Sequence, residues 1–211
     1  MKRILWIILL VIIIILATIS TYNFILNSIL VKKINTYKEN LEIYKQASLF
    51  DETEMAYLFS QNLLSSGLVL RNISVTNEKG IKFRLNILFG NNPKFVLRYS
   101  EINCMTCVDS SLKYIEKYKK IIGPENIIVL ASYKNQQDLA IFKRVSKIEF
   151  EIFNTGENTV GLPIEKENTP FMFITNGTLI AQSVFLPEKT MPELTEMYFM
   201  TIISRYFSYK N

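Results

Sequence analysis

Two cysteines, Cys104 and Cys107, are the residues of this sequence best suited to chemistry, and its 211 residues contain no others of that type. They form the motif Cys104-Met105-Thr106-Cys107. At this spacing one thiolate can attack a disulfide, and the second thiol can resolve the mixed disulfide that forms. Two thiolates cannot complete a four-coordinate zinc site, and a disulfide across so short a loop removes little entropy from the unfolded chain. The spacing therefore favours thiol–disulfide exchange over a structural role.

The sequence contains no histidine, which excludes several classes of site. Ser-His-Asp hydrolysis and His-ligated zinc both need the imidazole group. Attachment of a c-type haem is excluded as well, because Val108 stands where the C-x-x-C-H motif requires histidine. We expect no metal, and no cofactor beyond a redox-active Cys104–Cys107 disulfide. The net charge of +5 is spread along the chain, so nucleic-acid binding is not predicted.

The motif lies between a predicted strand and a predicted helix. Lys94–Ser100 has the length and composition of a strand, and apolar residues recur at helical spacing after Cys104 until Gly123-Pro124. Cys104 then stands at a helix N-terminus, where unpaired N–H groups and the helix dipole lower a thiol pKa from its usual value of about 8.5. We therefore predict that Cys104 is the nucleophile and that Cys107, one turn further in, is the resolving thiol.

The rest of the C-terminal part alternates between strand-like and helix-like patterns. The predicted elements are a hairpin with strands at 68–75 and 81–87, a strand at 126–132, a helix at 137–146, a strand at 148–153, a hairpin with strands at 171–175 and 179–185, and a helix at 192–206. Asn77–Gly80 and Asn176-Gly177 supply the two hairpin turns. This alternation predicts an α/β domain over residues 66–211, with a central mixed sheet flanked by helices.

The N-terminus carries an apolar run without charge, from Ile4 to Ile19, which can be extended to Leu26. A membrane-spanning helix needs about 20 residues, so residues 1–26 are predicted to form a transmembrane anchor. A cleaved signal peptide is the alternative, although Ala17-Thr18-Ile19 does not fit a small-x-small cleavage site. The positively charged N-terminus predicts an inside start, which places the rest of the chain outside the cytoplasm.

Residues 27–65 are predicted to form a helical stalk. Their apolar side chains recur at intervals of three and four, with Lys, Glu and Asn between them. A dimerising coiled coil and packing against the domain both fit this pattern, so the oligomeric state stays open.

From about Leu68 to Phe207 the chain resembles the membrane-anchored thioredoxin-like proteins of the TlpA and ResA kind, which reduce extracytoplasmic disulfides. The specific features are the C-x-x-C motif and Thr169-Pro170 before the strand at 171–174. The resemblance implies a thioredoxin-like fold and a single-pass protein of a bacterial-type cell membrane with a periplasmic domain. It implies protein thiols and disulfides as substrates, together with a membrane or extracytoplasmic redox partner. It also implies that Pro170 is a cis proline facing the sulfurs, and that the backbone of Thr169 pairs with an extended substrate segment.

Two residues near the motif depart from this family. Asn103 stands where the family usually has tryptophan. Arg98 stands where thioredoxins often carry a buried acid that handles the proton of the resolving cysteine, and arginine cannot do this because it stays protonated. Glu101 is the predicted substitute proton acceptor, with an ordinary solvated carboxylate as the alternative.

The sequence thus predicts an extracytoplasmic thiol–disulfide oxidoreductase that reduces protein disulfides through Cys104 and Cys107. The alternative is a non-catalytic binding module on a thioredoxin fold, or a protein that binds Cu(I) or senses redox state, since two thiolates can bind Cu(I). Copper-delivering relatives normally use a histidine, which is lacking here. A thiol peroxidase would need a T-x-x-C motif, whereas Thr106 directly precedes Cys107.

Overall fold

The computed structural model describes residues 20–21, 24–28, 30–35, 38, 52–53, 55–188 and 191–207. The chain divides into two compact units, residues 1–56 and residues 57–211. In the first unit the described residues are helical, and all of them except the half-buried Met55 are exposed. Within the described ranges no helix is long and apolar enough to cross a membrane. The core of the predicted anchor, residues 4–19, lies outside those ranges, as does much of the predicted stalk.

The described part of the second unit begins with helical residues 57–65 and contains seven strands and four further α-helices. The strands are β1 (Ser74–Asn77), β2 (Lys82–Arg84), β3 (Lys94–Ser100), β4 (Ile127–Ser132), β5 (Glu151–Asn154), β6 (Phe171–Thr175) and β7 (Gln182–Phe185). The helices are α1 (Leu85–Phe89), α2 (Met105–Ile122), α3 (Gln136–Val145) and α4 (Pro192–Ile202). Short 3₁₀ turns at Pro124–Asn126 and Pro163–Glu167, and a π-helical turn at Ile203–Phe207, complete the unit.

The strands form one mixed sheet in the order β2-β1-β5-β4-β3-β6-β7. β3, β4 and β5 are parallel, and the strands outside them pair antiparallel. β3 lies between β4 and β6, with Val96 opposite both Ile128 and Phe173. The predicted mixed sheet is therefore confirmed, and β3, the strand that leads into the cysteine motif, is one of its interior strands.

Alternation along β3 directs its side chains to two separate cores. Phe95, Leu97 and Tyr99 pack in a core that includes residues of α2, α3 and α4. Val96 points to the other face, where residues of α1 and of the 3₁₀ turn at Pro163–Glu167 complete a second core. Both faces of the sheet are covered. For this reason the middle residues of β3 are all buried, and all of them except Arg98 are hydrophobic.

Helix α2 forms because its apolar residues share one face. Val108, Leu112 and Ile115 recur at intervals of three and four, and all are buried. The helix ends at Gly123, whose φ of 87° suits glycine, and Pro124 follows. The predicted start and end of this helix are confirmed, and Cys104 is its N-cap residue.

The predicted strand at 81–87 is wrong in its second half. β2 ends at Arg84, and Leu85–Phe89 forms the short helix α1. Leu85 and Phe89 are fully buried, whereas Ile87 is 72 % exposed. A spacing of four places Leu85 and Phe89 on one face of a helix, and this packing outweighs the alternation that suggested a strand. The predicted strands at 148–153 and 179–185 also begin later, at Glu151 and Gln182.

The compact unit begins at Tyr57, before the predicted domain boundary at Ser66. Residues 57–65 are helical and are held to the domain by side-chain hydrogen bonds. The Ser65 hydroxyl accepts from the backbone N–H of Ile164 at 3.1 Å, and Asn62 Oδ1 accepts from that of Leu186 at 3.0 Å. This end of the predicted stalk therefore packs against the domain.

Candidate active site

The two cysteines differ in exposure, as the predicted division of roles requires. Cys104 is exposed, whereas Cys107 is half-buried. The backbone N–H groups of Cys107 and Val108 both donate to the carbonyl of Cys104, at 2.9 and 3.2 Å. Cys104 therefore lies at the start of an 18-residue helix whose dipole favours a negative charge at this end. Because a thiolate is the attacking species, the exposed residue is the better placed nucleophile.

Thr106 is a neighbour of the nucleophile that the sequence did not single out. Its hydroxyl oxygen lies 3.0 Å from Cys104 Sγ. When Cys104 is a thiolate the hydroxyl must be the donor, and a hydrogen bond to a charged acceptor favours the charged form. The only signal in the sequence was a hydroxyl two residues into the motif, which is common at helix starts.

Asn103 links the cysteine motif to the loop that carries Thr169 and Pro170. This side chain is 8 % exposed, and its Oδ1 accepts from the backbone N–H of Ser100 at 2.6 Å. Its Nδ2 donates to the carbonyl of Asn168 at 2.5 Å. The sequence marked Asn103 as unusual without giving it a role. The structure makes it the connection between the cysteine loop and the loop before β6, which the family resemblance implied would lie close together.

The predicted cis peptide bond before Pro170 is wrong, because the described residues contain no cis peptide bond. Asn168, at the end of the 3₁₀ turn, has a left-handed backbone with φ 51° and turns the chain towards β6. The chain thus enters β6 through the trans isomer, which an X-Pro bond prefers by about 0.5–1 kcal/mol. Pro170 is buried, and Thr169 is half-buried.

Arg98 forms a buried ion pair that the sequence did not predict. Its Nε lies 3.2 Å from Glu165 Oε1, and the two side chains are 7 and 11 % exposed. Its other nitrogens donate to the carbonyl of Tyr99 and to the hydroxyl of Ser132, at 2.5 and 2.7 Å. Burial lowers the pKa of the guanidinium, and Glu165 opposes this effect. Since arginine remains protonated, Arg98 is a fixed positive charge on the cavity that Asn103 also lines.

Glu101, the predicted proton acceptor, borders a cavity of about 270 Å³ beside the motif. Its Oε2 accepts from the backbone N–H of Lys134 at 3.4 Å. The cavity lies at the carboxyl ends of β3 and β4, and its described lining includes Arg98, Asn103, Lys134, Glu165 and Thr169. The structure thus brings Glu101 and Thr169 to one cavity, while Cys107 lines a different and smaller one.

Metal-ligating side chains do not cluster in the part of the chain that the structure describes: no group of three or more Cys, His, Asp or Glu residues there could hold an ion.

Solved structures of other proteins have a fold similar to that of the compact unit. No protein-family model and no curated protein matches the sequence. A protein assigned as the thiol:disulfide interchange protein DsbE of Chlorobium tepidum superposes with a TM-score of 0.50 at 11 % identity, over 66 % of this chain and 99 % of that one. The peroxidoxin BcpB of Mycobacterium tuberculosis gives 0.50 at 10 % identity, over 70 % of this chain and 99 % of that one. At such identities the likeness concerns the fold, and the compact unit has a thioredoxin-like fold.

Proposed function

We propose that this protein is a membrane-anchored, extracytoplasmic thiol–disulfide oxidoreductase that reduces protein disulfides through Cys104 and Cys107. The observation that carries the proposal is the pairing of an exposed Cys104 at the N-cap of α2 with a less exposed Cys107 one turn later. This arrangement gives an accessible nucleophile and a shielded second thiol, which are the two parts that dithiol exchange requires.

The proposed reaction proceeds in two exchange steps. The Cys104 thiolate attacks one sulfur of the substrate disulfide, and the other substrate sulfur leaves as a thiolate and takes up a proton. Cys107 then loses its proton and attacks Cys104 Sγ, which forms the Cys104–Cys107 disulfide and releases the second substrate thiol. The substrate disulfide gains two electrons and the protein dithiol loses two.

The surroundings of Cys104 favour a protein disulfide over a small-molecule disulfide as the substrate. Ile102 and Met105, on either side of the nucleophile in sequence, are 72 and 46 % exposed. Exposed apolar side chains at a reactive centre favour binding of a protein partner, because its apolar surface removes them from water. Thr169, tied to this region through Asn103, offers its backbone to an extended segment of such a partner.

The reaction is tested with the reduced full-length chain in mild detergent, using insulin as the disulfide substrate. We expect insulin reduction to depend on the protein and to stop when either cysteine is replaced by serine. Cys107→Ser should accumulate a mixed disulfide with insulin, because resolution is lost, and Cys104→Ser should accumulate none. A wild-type chain without insulin-reducing activity, or trapping by Cys104→Ser instead, would overturn the proposal.

The direction of electron flow is tested by the reduction potential of the Cys104–Cys107 couple against glutathione mixtures. A reductase should have a potential near that of thioredoxin, about −270 mV, whereas a disulfide-forming catalyst lies near about −120 mV. A potential near about −120 mV would reverse the assigned direction of electron flow but would leave the dithiol exchange chemistry unchanged.

The location rests on the uncharged run at residues 4–19 and on the positive charges before it. A phosphatase reporter that is active only outside the cytoplasm, fused after residue 211, should be active in bacterial cells. The chain should also stay with the membranes during carbonate extraction. An inactive reporter or release by carbonate would contradict the proposed location.

A further inference from the structure

Cys107, the predicted resolving cysteine, lines a second and smaller cavity. Its volume is about 30 Å³, which exceeds the roughly 10–15 Å³ that a cavity needs to hold one water molecule. The described residues that line it are Cys107, Ser110, Ser111, Tyr114, Pro187, Glu188, Pro192 and Thr195. The cavity therefore has the size for one water and polar groups on several sides to bind it.

Three parts of the chain form this cavity. Helix α2 supplies the cysteine side, the start of α4 supplies another, and Glu188 comes from the segment between β7 and α4. The Tyr114 hydroxyl donates to the carbonyl of Pro192 at 3.2 Å, which ties α2 to the first residue of α4. The Ser111 hydroxyl donates to the carbonyl of Cys107 at 2.9 Å. Both hydroxyl groups thus donate their protons to backbone carbonyls of residues that line the cavity.

Glu188 is the one carboxylate among the described residues that line this cavity, and it is half-buried. Tyr114 is the other titratable group there besides Cys107. A phenol already carries its proton and cannot be the acceptor, whereas an ionised carboxylate accepts hydrogen bonds and protons at its oxygens. Of the groups that share the cavity with Cys107, Glu188 is therefore the one suited to accept its proton.

Glu101 has a different environment. It borders the cavity of about 270 Å³, together with the positive charges of Arg98 and Lys134, and its carboxylate already accepts a backbone N–H. The two carboxylates thus serve two different cavities, and Cys107 lines the one that contains Glu188.

We propose that Glu188 accepts the proton of the Cys107 thiol, through one water in this cavity, during the second exchange step. The inference rests on the proposed oxidoreductase function and adds a residue to it. The S–H bond of Cys107 breaks, and its proton passes through the water to the Glu188 carboxylate. The Cys107 thiolate then forms the bond to Cys104 Sγ, and the substrate sulfur leaves with the electron pair of the broken disulfide. The proton returns to solvent from Glu188 before the next cycle.

The step needs such an acceptor because a thiol with the usual pKa of about 8.5 is mostly protonated at neutral pH. A positioned general base typically raises the rate of a step by about 10²–10⁴-fold. The contribution disappears at high pH, where the thiol ionises without help. This gives the proposal a signature in the pH profile that a purely structural role of Glu188 would lack.

The test uses the reduced full-length chain in mild detergent and a dye-labelled peptide dimer joined by one disulfide. Attack by Cys104 releases the first peptide, and resolution by Cys107 releases the second, so one stopped-flow trace reports both steps. In Glu188→Gln we expect an unchanged first phase and a second phase slowed by about 10²-fold near neutral pH. The difference in second-phase rate between Glu188→Gln and the wild type should disappear above about pH 9, where the thiol ionises without a base. Glu188→Asp should recover part of the rate, and Glu151→Gln, on an exposed strand residue, should match the wild type.

Each other result has a defined meaning. A second phase in Glu188→Gln that equals the wild type would overturn the inference, as would a slowing by the same factor at every pH, which indicates altered packing. A slow second phase in Glu101→Gln with a normal one in Glu188→Gln would transfer the role to Glu101. A wild-type chain with neither phase would refute the oxidoreductase function itself, and is thus distinguished from failure of the inference alone.

Discussion

The side-chain amide of Asn103 donates a hydrogen bond to the backbone carbonyl of Asn168, and this contact joins the cysteine loop to the loop before β6. Its Oδ1 accepts from Ser100 at the end of β3, so one buried side chain spans both loops. Thr169 follows Asn168 directly, and the position of its backbone relative to Cys104 therefore depends on Asn103. We infer that this asparagine positions the proposed substrate-binding segment.

Replacing Asn103 by Asp tests this contact with little change in shape. Aspartate can still accept from Ser100 but cannot donate to Asn168, whose carbonyl would then face a carboxylate. An unsatisfied buried polar group costs about 1–3 kcal/mol. We expect a lower free energy of unfolding by that amount, measured by circular dichroism in urea, and slower reduction of insulin. Asn92→Asp, on an exposed residue, is the control, and equal effects of the two changes would contradict the prediction.

Glu165→Gln should be strongly destabilising, because it leaves the buried guanidinium of Arg98 without its carboxylate. Removing one partner of a buried ion pair costs about 3–5 kcal/mol. We expect a fall of that size in the free energy of unfolding, measured in urea. Arg98→Met combined with Glu165→Gln should be less destabilising than Glu165→Gln alone, because no unpaired charge remains buried.

A more exposed ion pair supplies the control for Glu165. Lys143 and Glu78 lie 2.9 Å apart, with side chains 21 and 39 % exposed. Exposed pairs contribute about 0–1 kcal/mol, so Glu78→Gln should change the stability little. If Glu165→Gln had no larger effect than Glu78→Gln, the buried pair would not be a main support of the loops around the motif.

The features that the sequence predicted correctly are encoded over short distances. The strand, turn and helix around Cys104 follow from the length and composition of Lys94–Ser100, the helical spacing after Cys104 and the stop at Gly123, all within one continuous segment. The pair of Arg98 and Glu165 joins residues 67 positions apart, and no local pattern announces which carboxylate will meet a buried arginine. The sequence does not predict helix α1 for a related reason. In so short an apolar run, Leu85 and Ile87 fit the alternation of a strand, whereas Leu85 and Phe89 fit one face of a helical turn.

The hairpin turn at Gly177 is predicted correctly, but the need for glycine there has a different cause from the one that the Asn-Gly pair suggests. Asn176-Gly177 suggested a hairpin in which glycine supplies a positive φ, yet Gly177 does not have one. Its N–H donates to the carbonyl of Gly90, and a Cβ added at Gly177 would lie 2.8 Å from that oxygen and 3.2 Å from the carbonyl oxygen of Asn86. The requirement for glycine is thus a close approach between two backbone segments, which only the folded structure reveals.

Gly177→Ala should therefore destabilise the domain. The added methyl group meets backbone atoms, which cannot rotate away, and such overpacking costs about 1–3 kcal/mol. The comparison is Gly80→Asn, at a turn with φ +80° where an added Cβ would have no atom within 4 Å and where asparagine tolerates the left-handed conformation. Urea denaturation should show a clear loss for Gly177→Ala and a small one for Gly80→Asn, and the reverse order would contradict the close-approach explanation.

The contact between α2 and α4 should depend on pH through Glu196. Its Oε1 lies 2.6 Å from Lys117 Nζ and also accepts from the Tyr118 hydroxyl, and these hydrogen bonds lower the pKa of the carboxyl group below its usual 4.5. A lowered folded-state pKa means that the contribution to stability is present above the usual pKa and is lost as the pH falls through the lowered one. Glu196→Gln should thus be less stable than the wild type at neutral pH, and the two urea midpoints should converge at acid pH. Glu151→Gln, on an exposed strand residue, should show no such convergence, and a difference for Glu196→Gln that persisted at acid pH would mean that the carboxylate charge is not what links the two helices.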